Sequence, residues 1–386
     1  MTRPVVAGLL TAIVGFTSSF AVVLAGLRAV GASPAQAASG LLALCALQGA
    51  GMLWLTRRHR LPLTLAWSTP GAAVLASSGG VTGGWPAAIG AFLVVAGLIL
   101  LTALWPTLGR VISSIPTAIA QAMLAGVLLP LCLAPVRGVV DHPLIVAPAV
   151  AVWLVLLRFA PRWAVPGAFL TALVTIGIDV ARTGTLEGPV LPHLAWTTPT
   201  LSWSAVIGLA APLYLVTMAS QNVPGVAVMA SYGYRVPWRE TMVVTGIGTA
   251  AGAVAGGHAI NLAAITAALS ASPEAHPDPQ RRWIATHTAG WAYLVLAVGS
   301  ATLTTFVAAA PSGVAEAVAG LGLLATLGSS LSAALTASSG REPALVTFLV
   351  AASGVSAFGV GAAFWALMAG LLMTAALRHR DRCASR

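Results

Sequence analysis

The sequence is a succession of long apolar segments, separated by short connectors that hold most of the charge. Only 7% of the 386 residues are charged, whereas a soluble domain carries about 25%. A helix that crosses a bilayer needs about 20 apolar residues, and segments near this length recur from end to end. The sequence therefore predicts an all-α polytopic membrane protein in a lipid bilayer, with almost nothing left for a soluble domain.

We predict fourteen membrane spans from the apolar segments. Spans 3 and 10 are short and the last two adjoin, so twelve spans remain the alternative. The predicted spans are residues 5–30, 35–55, 63–78, 85–105, 115–134, 143–159, 162–181, 201–221, 238–255, 258–271, 283–309, 312–335, 342–358 and 359–377.

The arginines predict the orientation of these spans. The formal net charge of +10 reflects 19 basic residues, all of them arginine, against 9 acidic ones. If the N-terminus is cytoplasmic, 16 of the 19 lie in connectors on the cytoplasmic side, and Arg28, Arg137 and Arg182 lie outside. This bias is the positive-inside rule, so we expect an even number of spans and both termini in the cytoplasm. The basic charge is thereby explained by topology and does not indicate nucleic-acid binding.

The two short spans occupy the same position in each half of a seven-plus-seven division. Span 3 contains Trp67 followed by Ser68–Gly71, and span 10 follows Gly256 and Gly257. Paired short segments interrupted by glycine or proline indicate a transporter binding site built on inverted repeats. An odd number of spans per repeat inverts the second repeat, so we predict two inverted seven-span repeats.

Each short span is predicted to begin a half-helix inside the membrane. Ser68 and Thr69 are good N-cap residues, and Pro70 suits a first helical turn. We expect extended chain through 65–67 before this helix, and we expect Asn261 to cap a second helix that runs from Leu262. Helix N-termini attract anions, so the two ends predict an anion site, whose candidate binding residues are Trp67, Ser68, Thr69, Pro70, Gly71 and Asn261. The alternatives are a proline kink without a ligand in span 3 and an asparagine that ties two helices in span 10.

Span 8 carries a polar cluster in an otherwise apolar segment. Polar side chains inside a membrane usually face a cavity or another helix. We expect Pro224 and Gly225 to interrupt this helix. The candidate binding residues here are Met218, Ser220, Gln221 and Asn222, beside Thr217.

Five segments in order resemble the benzoate/proton symporter family of the BenE type. They are AWSTPGAA (66–73), TMASQNVPGVAV (217–228), NLAAITAA (261–268), PEAHPDPQRRW (273–283) and SAFGVGAAFW (356–365). The resemblance implies an architecture similar to nucleobase permeases and sulfate-type anion transporters. It implies a core domain from residues 1–110 and 199–310, and a gate domain from residues 111–198 and 311–386 that includes a cytoplasmic tail.

The same resemblance implies a function. The expected protein imports benzoate or a similar aromatic carboxylate with protons across a bacterial inner membrane, by an elevator mechanism, as a homodimer joined through the gate. Nucleobase permeases place a glutamate where this chain has Gln221. A neutral amide suits a carboxylate substrate, because two anions in a low-dielectric site repel each other.

The sequence names no obvious proton carrier. The candidates for proton coupling are His258, Asp179 and Glu316, and His258 has the alternative of a purely hydrogen-bonded residue. We expect no catalytic residue, metal or cofactor, because no GxSxG, HExxH or Walker-type motif occurs. A channel would need a continuous polar lining, whereas the polar residues cluster at one depth. The remaining alternative is a permease for another small anion or a nucleobase.

Overall fold

The computed structural model describes residues 2–105, 116–183, 191, 193–264, 266–336, 340–358 and 360–384. These residues are mostly helical, with one pair of short strands. The elements are α1 (Thr2–Thr17), α2 (Phe20–Ala29), α3 (Pro34–His59), β1 (Leu65–Trp67), α4 (Thr69–Ser77), α5 (Gly84–Leu104), α6 (Thr117–Asp141), α7 (Pro143–Phe159), α8 (Ala164–Thr183), α9 (Trp203–Ser231), α10 (Trp238–Ala253), β2 (Ile260–Leu262), α11 (Ala267–Ala271), α12 (Trp283–Ala308), α13 (Val314–Leu335), α14 (Arg341–Ala352) and α15 (Ala362–Ala384).

The prediction of a polytopic helical membrane protein is confirmed. Each of the fourteen predicted segments overlaps a helix or a strand followed by a helix. Within the described residues, 8 helical segments are long and apolar enough to cross a membrane. The number of fourteen crossings and the inverted repeats stay predictions. The predicted core–gate boundary at residues 110 and 111 lies outside the described residues.

The short spans are strand–helix units. In span 3 the extended chain and the helix start are where the sequence predicted them, in β1 and α4. In span 10 the prediction for Asn261 was wrong, because it lies in β2 and caps no helix. The helix that follows, α11, has 5 residues and begins at Ala267. The chain stays extended past Leu262 because its backbone pairs with β1 instead of turning on itself.

Span 8 is not interrupted at Pro224, contrary to the prediction. The helix α9 continues to Ser231 through two π-helical turns, Val206–Ala210 and Met218–Asn222. In the second turn the N–H of Val223 bonds to the carbonyl of Met218, five residues earlier. This wider turn shifts the hydrogen-bond register just before the proline, which has no N–H to contribute. Such turns are frequent at functional sites.

Two sets of helices pack separately and meet around the strand pair. In the first set α3 packs on α12 and α5 on α10; in the second α6 packs on α13 and α14. Small residues allow the closest approaches: a Cβ on Gly49 would lie 2.8 Å from the Gly290 carbonyl oxygen. Contacts of α2 with α13 and of α1 with α8 join the sets. The assignment of these sets to a core domain and a gate domain stays a prediction.

Candidate functional site

The strand pair at the heart of the site joins the two broken spans. β1 and β2 run antiparallel, with Ala66 opposite Asn261. The N–H of Ser68 extends the pairing to the Ala259 carbonyl at 2.8 Å. At membrane depth, the N–H and C=O groups of non-helical backbone must find hydrogen-bond partners inside the protein. Here the extended backbone of each broken span supplies partners for the other.

Ser68 fixes the start of α4. Its Oγ accepts the Gly71 N–H at 3.1 Å and the Thr217 hydroxyl at 2.7 Å. Its carbonyl accepts the His258 Nε2–H at 3.1 Å. Because Pro70 has no N–H and the Gly71 N–H is taken, the first turn of α4 offers fewer donors to a ligand than the sequence predicted.

Ser68, Pro70 and Gly71 are buried behind the residues that form the site surface. The Ser68 side chain has no solvent exposure, and Pro70 is also fully packed. A Cβ on Gly71 would lie 2.3 Å from Leu213 Cδ1, so a larger residue here would require the Leu213 side chain to move where α4 crosses α9. These three predicted binding residues therefore shape the site and do not line it.

A cavity of about 420 Å³ lies beside the strand pair. Three of the predicted site residues, Trp67, Thr69 and Gln221, line it. The opposite wall comes from α13 and from the turn before α8, and the α1–α2 break closes one side. These further lining residues include Ser18, Ser19, Arg162, Gly322, Thr326 and Ser329.

The side-chain amide of Gln221 has one defined orientation. Its Oε1 accepts the backbone N–H of Ala264 at 3.3 Å. Because a backbone N–H only donates, the oxygen must occupy this position and the Nε2 group points elsewhere. Gln221 is 6% exposed and lines the cavity. The Nε2 group is therefore the part of the amide left to donate a hydrogen bond to a ligand in the cavity.

Trp67 forms an aromatic wall. Its Nε1–H donates to Ser19 Oγ at 2.7 Å. Its ring centroid lies 5.6 Å from that of Phe16 and 6.1 Å from that of Tyr293. Aromatic pairs at these separations pack favourably, so the hydrogen bond and two neighbours hold the indole in place beside the cavity.

Comparison with known proteins identifies the family. A family model described as BenE, benzoate membrane transport protein, matches residues 2–376. The chain belongs to this benzoate transport family. It is 39% identical over 367 residues to the inner membrane protein YdcO of Escherichia coli. The aligned residues cover 94% of this chain and 93% of that protein. It is 26% identical over 336 residues to a benzoate membrane transport protein of Acinetobacter baylyi, over 83% and 81% of the two chains.

Comparison with solved structures shows which proteins have a fold similar to that of this benzoate-family chain. The transmembrane domain of the cyanobacterial bicarbonate transporter BicA matches with a TM-score of 0.65 and 13% identity, over 96% of this chain and 97% of that one. SLC26A9 matches with a TM-score of 0.62 and 13% identity, over 96% and 64%. At this identity the likeness concerns the fold alone. Membership of the benzoate transport family makes the protein a membrane transporter and not an enzyme.

In this benzoate-family chain, four further predicted binding residues are buried outside the cavity, and two of them, Asn222 and Asn261, bond to the backbone of Leu262 in β2. Asn222 Oδ1 accepts the Leu262 N–H at 2.8 Å, and its Nδ2 donates to Met218 Sδ at 3.1 Å. Asn261 Nδ2 donates to the carbonyl of Leu262 at 2.9 Å. Ser220 is buried beside them. None of these four residues is among those that line the cavity.

The candidates for proton coupling lie apart from one another. His258 is fully buried and touches the site through its bond to Ser68. Glu316 lies in the first turn of α13 and lines a different cavity, together with Arg28. Asp179 is half-buried near the end of α8. Of the three, His258 is the one connected to the site.

Two parts of the cavity lining were missed by sequence reasoning. Arg162 was assigned to a connector as a topology signal, and Gly322–Ser329 was treated as ordinary gate helix. The run of Gly, Ala, Thr and Ser in that helix was an available signal, because small residues permit close approach and leave room for a cavity. Nothing in the sequence pattern distinguishes Arg162 from the other connector arginines.

Proposed function

We propose that this protein is a secondary active transporter that imports benzoate or a similar aromatic carboxylate together with protons. The observation that carries the proposal is the cavity that combines the Gln221 donor with the Trp67 wall. The name of the family and of the relative from Acinetobacter baylyi supports the substrate. We further propose that it acts in a bacterial inner membrane with both termini in the cytoplasm.

The chemistry of the cavity suits an aromatic carboxylate. The carboxylate would accept hydrogen bonds from Gln221 Nε2 and the Thr69 hydroxyl, near the positive end of α4. The ring would pack against the indole of Trp67. A neutral donor set avoids placing a second anion beside the substrate. The walls are otherwise mostly apolar, so a charged substrate gains its stabilisation from these few polar groups.

The mechanism we propose is an elevator. The set of helices with α4, α9 and the strand pair would move as a core against the set with α6, α8 and α13, and the latter would form a homodimer. The cavity is lined by residues of both sets, which supports this proposal. His258 is the proton-coupling residue best placed to sense the site, through Ser68.

A glycine at the meeting surface tests this movement. A Cβ on Gly322 of α13 would lie 2.4 Å from the Ser18 carbonyl oxygen, in the break between α1 and α2. Gly322→Ala should raise the free energy of this conformation by about 1–3 kcal/mol, as overpacking does. We expect slower thiol labelling of a cysteine introduced at Ser329 in the cavity, in a background without native cysteines.

The matched control for this prediction is Gly328→Ala. Gly328 lies on the same helix, and a Cβ there would meet no atom within 4 Å. Labelling of the Ser329→Cys protein should be unaffected by this change. Equal labelling in both glycine variants would mean that the Ser18 contact does not break during transport, which contradicts the elevator boundary placed here.

Benzoate uptake by purified protein in liposomes tests the function itself. We expect accumulation driven by an inward proton gradient, and competition by other aromatic carboxylates. Collapse of the gradient with a protonophore should reduce uptake to equilibration. Failure of a folded, inserted protein to take up benzoate would overturn the substrate assignment and favour the alternatives of a nucleobase or another small anion.

A further inference from the structure

Arg162 stands between two adjoining cavities. It lies in the single 3₁₀ turn Pro161–Trp163 that joins α7 to α8. On one side it lines the candidate substrate cavity, and among the described lining residues there it alone is charged. On the other side it lines a second cavity of about 360 Å³, which also contains Glu274 and the N-terminal residues Thr2 and Arg3.

The guanidinium already holds a carboxylate from this chain. Arg162 Nη1 lies 3.2 Å from Glu274 Oε2, and the two side chains are 58% and 69% exposed. The contact joins the turn before α8 to the connector after α11, so it bridges the two sets of helices. A guanidinium has five N–H donors, and this ion pair engages one edge of it.

The connector that carries Glu274 is held firmly. Arg282 is 5% exposed and donates to the carbonyls of Ala271 and His276, both at 2.8 Å. Ala275, next to Glu274, is fully buried. The carboxylate is therefore presented to Arg162 from a fixed backbone, at the edge of the substrate cavity.

We propose that Arg162 is a carboxylate-binding subsite at the entrance of the cavity, and that Glu274 is an internal carboxylate that competes with the substrate for it. This proposal rests on the proposed function. A carboxylate that moves from the Gln221 site toward the second cavity, which contains Thr2 and Arg3, first meets the Arg162 guanidinium. Exchange between Glu274 and the substrate keeps the Arg162 guanidinium paired with a carboxylate throughout.

Opposite effects of the two partners distinguish this subsite from a simple structural ion pair. Binding of radiolabelled benzoate to purified, detergent-solubilised protein gives the Kd directly. Arg162→Gln should raise the Kd about fivefold, because a charge-assisted contact is lost. Glu274→Gln should lower it about threefold, because the competitor is gone. The double variant should behave like Arg162→Gln, and the benefit of Arg162 should shrink at high salt since the site is exposed.

A neighbouring arginine provides the control. Arg158, at the end of α7, stacks on Phe159 and does not line the cavity, so Arg158→Gln should leave the Kd unchanged. If Arg162→Gln and Glu274→Gln shift the Kd in the same direction, or not at all, the pair is structural and the subsite is refuted. If the wild-type protein binds no benzoate, the proposed function is refuted together with the subsite. If the wild-type protein binds benzoate saturably and the variants keep its Kd, only the subsite is refuted.

Discussion

Gln221→Glu is expected to raise the Kd for benzoate about 1000-fold. One glutamate oxygen can still accept the Ala264 N–H, so the local fold is kept. The other oxygen would face the cavity as a charged acceptor in place of the amide donor. Two carboxylates about 4 Å apart at an effective dielectric constant of about 20 repel by about 4 kcal/mol, which corresponds to roughly three decades in affinity. Binding of radiolabelled benzoate to purified protein measures this effect.

The pH dependence of the Gln221→Glu variant provides an internal check. Protonation of the introduced glutamate removes its charge, and the protonated acid again offers an O–H donor. Benzoate binding should therefore recover as the pH falls. Gln280→Glu is the control, because Gln280 is exposed in the turn Pro279–Arg281 and carries the same change of charge away from the cavity. Unchanged affinity in Gln221→Glu would remove Gln221 from the binding site.

Ser68→Ala is expected to destabilise the protein by about 2–4 kcal/mol. The change removes the N-cap of α4 and leaves the Gly71 N–H and the Thr217 hydroxyl buried without their acceptor. The start of α4 should then fray, which displaces Thr69 from the cavity wall. We expect a lower melting temperature in detergent and weaker benzoate binding in the folded fraction.

A double-mutant cycle separates the two lost contacts. Thr217→Val alone should cost about 1 kcal/mol, because Ser68 keeps the Gly71 contact. Ser68→Ala with Thr217→Val should cost less than the sum of the single changes, because no hydroxyl is stranded. Ser77→Ala is the control: its hydroxyl bonds to Val74 at the other end of α4, and we expect little change. Additive costs in the cycle would mean that the Ser68–Thr217 bond does not stabilise the site.

Local chemistry made one of the broken spans predictable. In span 3 the start of α4 follows from a cap, a proline and a glycine in adjacent positions, and these act within a few residues of chain. In span 10 the same reasoning misplaced Asn261. Its conformation depends on a partner strand almost 200 positions earlier in the sequence, and no local preference records that partner. The π-helical turn before Pro224 was missed for a similar reason. A proline by itself predicts a kink, and not the wider turn that lets the helix continue past it.

Apolar length and arginine placement were enough to identify a polytopic membrane protein, because the thickness of the bilayer and the positive-inside rule act on these two features directly. The sequence by itself also determined that a polar cluster surrounds Gln221. The tertiary structure decided which of those polar groups face the cavity. Trp67, Thr69 and Gln221 do, whereas Ser68, Asn222 and Asn261 are used by the protein itself to satisfy buried backbone and cap groups. In the membrane interior every backbone polar group needs a partner, and for the two broken spans that partner comes from distant segments of the chain.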